Sequence, residues 1–168
     1  MKCIKIKGKN NIDGFKKETK RKTVLKWKNR DELIKKKNHI PYINQLYLGQ
    51  AFEGCSEIKR EIVNKISSYS QQDKKRNIFD SKKIIKYDEC LEKLVLSKLK
   101  CYYCKCETLL MYEDKREPNQ WTLDRLDNGI GHYKDNVVIC CLKCNIKKRR
   151  MDDEKFKFTK QMRVIKGF

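Results

Sequence analysis

The sequence predicts an α+β fold: a small cysteine-pinned module, preceded by helices and by a basic N-terminal arm. Three observations carry this. Two pairs, Cys101-x2-Cys104 and Cys141-x2-Cys144, stand a few dozen residues apart. Between them the pattern reads strand, loop, strand, and a basic helix start follows the second pair. Ahead of them, apolar residues recur at helical spacing.

The chain has 168 residues and a formal net charge of +20, with 42 Lys and Arg against 22 Asp and Glu. Such a surplus points to a polyanionic partner, most often nucleic acid. The alternative source is a lysine-rich soluble surface encoded by an AT-rich sequence. The charge is uneven, which favours the partner: residues 1–40 hold 15 basic and 4 acidic side chains, a net of +11. Three parts are therefore expected: a basic arm over 1–40, a mostly helical segment over 41–100 that packs on the module, and the module with a C-terminal helix over 101–168. The arm is either a solvated tail or a segment that orders on nucleic acid. Its first ten residues alternate and could form a short strand.

Nine cysteines raise the possibility of disulfides. Their odd number, their clustering and the lack of an apolar signal-peptide core argue for reduced thiols. No apolar run approaches membrane-spanning length. The expectation is an intracellular setting, in cytoplasm, nucleus or a virus particle, with no secretion and no membrane partner.

Taken in order, Asp31 could cap a short helix through Lys37, which His39-Ile40-Pro41-Tyr42 would break. His39 reads as structural or exposed. Tyr42 to Phe52 is apolar enough to be buried against the module. From Ser56, a plausible N-cap, Ile58, Ile62, Ile66 and Tyr69 mark one helical face. That helix should fade in the polar run Ser70 to Asn77. Asp88 is placed to cap a second helix, with Leu91, Leu94, Val95 and Leu99 on one side. Leu109–Tyr112 and Trp121–Leu126 read as strands, Asp127-Asn128-Gly129 as a turn, and Val137–Ile139 as the next strand. Trp121 belongs in the core, and Tyr102 and Tyr103 read as surface aromatics. Asp152-Asp153-Glu154 opens a closing helix that carries Phe156, Phe158 and Met162.

The knuckle spacing selects Cys101, Cys104, Cys141 and Cys144 as ligands of one Zn²⁺, because soft thiolates suit a closed tetrahedral site. Cys106 lies near the first pair, and Cys140 is expected to face the core. Four sulfurs leave no open position, so the zinc is a scaffold that staples a fold short of apolar mass.

The stretch from Trp121 to Arg150 resembles the HNH, or ββα-metal, nuclease family in its zinc-stapled treble-clef form. Its run WTLDRLDNGIGHYKDNVVICCLKCNIKKRR is closest to HNH-like proteins of large DNA viruses and phages. The resemblance covers about residues 85–165 and fades over the first 55. It rests on Leu123-Asp124-Arg125, on Asp135-Asn136-Val137-Val138, and on Cys141 through Lys148. It implies that Asp124 and Asn145 hold a catalytic Mg²⁺ or Mn²⁺, oxygen donors being suited to those ions. The metal would stabilise the leaving oxygen of a phosphodiester. Asn136 matches the residue that orients the catalytic His. Lys147, Lys148, Arg149 and Arg150, with Lys143 beside them, would hold phosphates of double-stranded DNA.

The sequence departs from this pattern at the base. Arg125 stands where the family carries its His, and a guanidinium stays protonated. Three readings follow. His132, seven residues on, could act as a relocated base, since an imidazole titrates near neutrality. Arg125 could clamp the phosphate while the metal alone activates water. Or the site is inactive, and Asp124 only bonds Arg125 or the turn amides. His132 could equally be a surface loop residue. The leading expectation is a metal-dependent DNA endonuclease of HNH type. Its alternative is a non-catalytic, zinc-stabilised DNA-binding or genome-packaging protein on a degenerate HNH fold.

Overall fold

A computed structural model of the protein describes residues 27–162 together with Gly8. Most of the basic arm, including its alternating first ten residues apart from Gly8, lies outside them. The described residues form six helices and one two-stranded antiparallel sheet, an α+β architecture. The elements are α1 (Arg30–Leu33), α2 (Lys36–Tyr47), α3 (Cys55–Lys75), α4 (Tyr87–Ser97), β1 (Trp121–Arg125), β2 (Val137–Cys141), α5 (Leu142–Lys148) and α6 (Asp153–Gln161). No described helix is long and apolar enough to cross a membrane.

Residues 30–33 and 36–40, grouped by sequence with the arm, are already inside α1 and α2. Pro41 does not break the chain, because α2 runs through it. Pro41 is the sixth residue of α2 and lies on its exposed face; the helix continues through it with one i→i−4 bond fewer. Ile43 and Leu46 carry the buried face, while Tyr47 and Leu48 remain exposed.

The apolar stripe expected from Ser56 is present, with Ile58 and Ile62 buried and Ile66 and Tyr69 packed against the core. The helix begins one residue earlier, at Cys55. Its cap is Gly54 with φ 89°, where an added Cβ would lie 2.5 Å from Leu33 Cδ2. Only glycine meets both demands. Ser56 is no cap; its hydroxyl bonds Glu57. Nor does the helix fade at Ser70. It continues to Lys75 because Asp73 on that last stretch is fully buried and partnered. Helix α4 likewise starts before Asp88, and the Glu89 carboxylate accepts from the Lys86 N–H at 2.8 Å.

The sheet pairs Trp121 with Cys141 at one end and Arg125 with Val137 at the other. Leu109–Tyr112 is not a strand. It forms an isolated bridge between Leu109 and Gln120, just ahead of β1, and Leu109 O accepts from Trp121 N–H at 3.1 Å. Its groups are spent elsewhere: Leu110 N–H donates to His39 Nδ1 and Leu110 C=O accepts from the Trp121 indole. Helix α3 covers the open edge of β1, where Leu123 N–H donates to the Tyr69 hydroxyl at 3.0 Å and Lys65 donates to the Trp121 carbonyl. One apolar core thus joins Leu33, Ile43 and Ile62 to Leu94, Trp121, Leu123 and Ile139. The closing helix is capped by Asp152, whose carboxylate accepts from Lys155 N–H, and it buries Phe156 while leaving Phe158 and Met162 exposed.

Candidate active site

The sheet has two functional ends. At the Trp121–Cys141 end, the sulfurs of Cys101, Cys104, Cys141 and Cys144 all lie within 4.8 Å of one another. The first knuckle is tightened by Cys101 N–H to Cys106 O at 2.8 Å, and Tyr102 N–H ties it to Ile139 O. The second knuckle is the end of β2 and the first turn of α5. Four convergent thiols, none in a disulfide, fit a soft ion in a tetrahedral site, so the cluster could hold a metal such as zinc. Cys106 Sγ stands 3.3 Å from Cys104 Sγ, beside this set. Cys140 is buried and turned toward Thr122 Oγ1 at 3.2 Å, as the sequence suggested.

At the other end, β1 presents Asp124. Its Oδ2 accepts from the Tyr103 hydroxyl at 2.6 Å and from Lys148 Nζ at 3.0 Å. Tyr103 is therefore not a surface aromatic; it is fully buried, packed edge-on to Phe156. Lys148 is not a solvent-facing cation either. It is 1% exposed and also donates to Arg125 O at 2.6 Å. The physical reason is charge pairing: a carboxylate taken out of water needs a compensating cation, and α5 delivers the ammonium of Lys148. Among the described residues, no side chain or backbone group donates to Asp124 Oδ1 or to the side-chain oxygen of Asn145. The Asn145 amide nitrogen donates to Thr122 Oγ1 and Leu123 O, which fixes the side chain on β1.

Asn136 is buried and spends its side chain on the loop. Its Oδ1 accepts from Asp127 N–H at 2.9 Å, and its amide donates to Asp127 O and Gly131 O. It shapes the backbone that leads into His132 and does not touch the imidazole.

His132 is a buried residue of the site and not a surface one. Its Nδ1 lies 2.7 Å from Asp73 Oδ1, and its main-chain N–H donates to Asp73 Oδ2, also at 2.7 Å. The ring rests on Tyr69 with centroids 4.6 Å apart. Burial pushes the imidazole below its ordinary pKa, and the Asp73 carboxylate opposes that shift only in part. Arg125 does not pair with Asp124 through its guanidinium. It donates to Ile130 O at 3.2 Å and stands 3.8 Å from Asp73 Oδ1, bracing the same loop.

A cleft of about 680 Å³ opens between α3, the 128–132 loop and α5. Asp124, His132 and Asn145 line it, and Arg76, Arg149 and Arg150 stand on its rim. Arg149, with φ 52°, ends α5 by turning the chain and keeps both arginines beside the opening. Lys143 and Lys147 are exposed on α5 but do not line the cleft. Sequence reasoning missed Asp73, Tyr69 as a support, and Arg76. A signal existed. Asp73 continues the stripe of Ile58, Ile62, Ile66 and Tyr69, so the helix places a carboxylate on its buried face.

Comparison with family models, with curated proteins and with solved structures finds no match to this chain. The cleft brings together two uncommitted oxygens, on Asp124 and Asn145, the His132 imidazole and the guanidinium groups of Arg76, Arg125, Arg149 and Arg150.

Proposed function

We propose that this protein is a metal-dependent endonuclease of HNH type that hydrolyses phosphodiester bonds of double-stranded DNA. The observation that carries the reading is the meeting of Asp124, Asn145 and His132 in one cleft rimmed by arginines. Asp124 Oδ1 and the Asn145 side-chain oxygen are hard donors that suit Mg²⁺ or Mn²⁺. Such an ion supplies charge stabilisation for the leaving oxygen. The residues supply the rest. His132 accepts a proton from the attacking water, taking the role that Arg125 cannot fill. Arg76, Arg149 and Arg150 hold the flanking phosphates, and a guanidinium fork matches phosphate oxygens in two-point contacts. The four-cysteine cluster holds structural zinc and fixes the α5 start from which Asn145 and Lys148 reach the cleft.

A second reading has its own support. Lys148 already neutralises Asp124, and an ammonium in that position favours a binding protein on a degenerate HNH fold, with zinc-stabilised contacts to DNA or a role in genome packaging. One experiment separates the two. Supercoiled plasmid is incubated with the protein and Mg²⁺ or Mn²⁺, with EDTA, and with Asp124→Ala. Nicking that needs the metal and is lost in Asp124→Ala is the expected result. Plasmid retained in a gel shift with no nicking in either metal would select the binding protein.

A further inference from the structure

We infer that Asp73 is the positioning residue of His132, fixing the imidazole in the tautomer that leaves Nε2 as the proton acceptor of the cleft. The inference deepens the nuclease reading and rests on it for the role of the bare nitrogen in catalysis. Its structural half stands independently.

The Asp73 side chain is fully buried, and both of its oxygens face the residue it serves. An ionised carboxylate only accepts hydrogen bonds. The ring nitrogen 2.7 Å from Oδ1 must therefore carry the hydrogen, so the ring in its neutral form is protonated at Nδ1. The lone pair is then left on Nε2. Among the described residues nothing bonds Nε2, and it is not one of the buried unpartnered side-chain atoms. It therefore reaches the open space of the cleft that His132 lines. Tyr69 supports the ring face at 4.6 Å between centroids. The loop is pressed on α3 more closely than a side chain would permit. A Cβ added at Gly131 would stand 2.9 Å from Asp73 Oδ2 and 2.8 Å from Ile78 O. A base oriented by a third group is the general arrangement for a working proton acceptor. Here the third group comes from α3, outside the cysteine module.

The substitution Asp73→Asn tests this with little change in shape. Asparagine has one carbonyl oxygen for two donors. The main-chain N–H of His132 cannot give up its hydrogen, so it takes that oxygen. The amide nitrogen then faces Nδ1 and forces the hydrogen to Nε2. Two readouts are made on the full-length protein. Nitrogen-15 NMR of His132 at neutral pH should show Nδ1 protonated and Nε2 bare in the wild type, and the reverse in Asp73→Asn. Plasmid nicking by Asp73→Asn should lose about 10²- to 10⁴-fold in kcat with KM for DNA nearly unchanged. A wild-type ring protonated at Nε2 would overturn the inference, and that measurement needs no variant to fold. So would a folded Asp73→Asn that nicks at the wild-type rate. Should the wild type nick nothing in either metal, the nuclease reading falls, and the tautomer alone decides whether Asp73 positions His132.

Discussion

The chain has two histidines, and the regions around them differ in one respect that matters. His39 lies where α2 meets the loop before β1. Its Nε2–H donates to Leu33 O at 3.0 Å, and its Nδ1 accepts from Leu110 N–H at 3.2 Å. Both nitrogens are spent on backbone. His132 is just as buried, yet only one of its nitrogens is committed, and to a carboxylate. A histidine with both nitrogens bonded to main chain is a strut between segments. One with its proton fixed and its lone pair free is a chemical group. Burial lowers the pKa of both rings, so titration behaviour alone would not tell them apart.

Metal removal should break the comparison most strongly. Zinc clusters in small domains bind with apparent free energies of about 10–16 kcal/mol, as large as the stability of a whole domain. A strong chelator should therefore release the knuckles and with them α5, scattering Asn145 and Lys148 from the His132 cleft. Backbone amide shifts near His39 should change less, since Leu33 and Leu110 pack in the main apolar core and not in the cluster around the cysteines. Next, His132→Ala should lower plasmid nicking by about 10²- to 10⁴-fold. His39→Ala should leave the specific activity of the folded protein intact.

Lys148→Met sharpens what surrounds the chemical site. It strands the Asp124 charge in a buried setting, and a urea titration should show a loss of about 3–5 kcal/mol. His39→Ala should cost about 2–3 kcal/mol in the same assay, because a buried carbonyl and a buried N–H lose their partners. The smallest effect is the response to acid. Both rings have folded pKa values below the ordinary 6.5. The stability that the neutral rings contribute is fully present above that value and is lost as pH falls through the folded pKa values. Urea midpoints measured on the acid side of pH 6.5 should decline, and each alanine variant should flatten part of that decline.

Much of this was legible in the residues. Cysteine spacing located the four-thiol cluster, and the runs Trp121–Leu126 and Val137–Ile139 located β1 and β2. The stripe from Ile58 to Tyr69 located α3, and Asp152 located the start of α6. What escaped has a common cause. Hydrophobic periodicity reports apolar burial and is blind to buried charge. Lys148 looked like one of several phosphate-holding cations, Tyr103 like a knuckle aromatic, and Asp73 like part of a polar tail, yet each is buried through a polar partner. Pro41 escaped for a different reason: a proline on the exposed face of α2 leaves the helix running through it, with Ile43 and Leu46 still buried. Asp124, His132 and Asn145 could be named as candidates from sequence. Which of them had a free atom could be known only from the partners that the fold brings to each.

The hydrogen bonds from His132 to Asp73 span 59 residues of chain, and Ile85 N–H also donates to His132 O. The cleft is consequently indivisible. A fragment beginning at Cys101 would retain all four clustered thiols and both strands, yet it would lack Asp73, the Tyr69 ring support and Arg76. Any transplant of the cysteine module into another protein would carry its scaffold without its working face, and assembly of that face must wait for long-range closure of α3 onto β1.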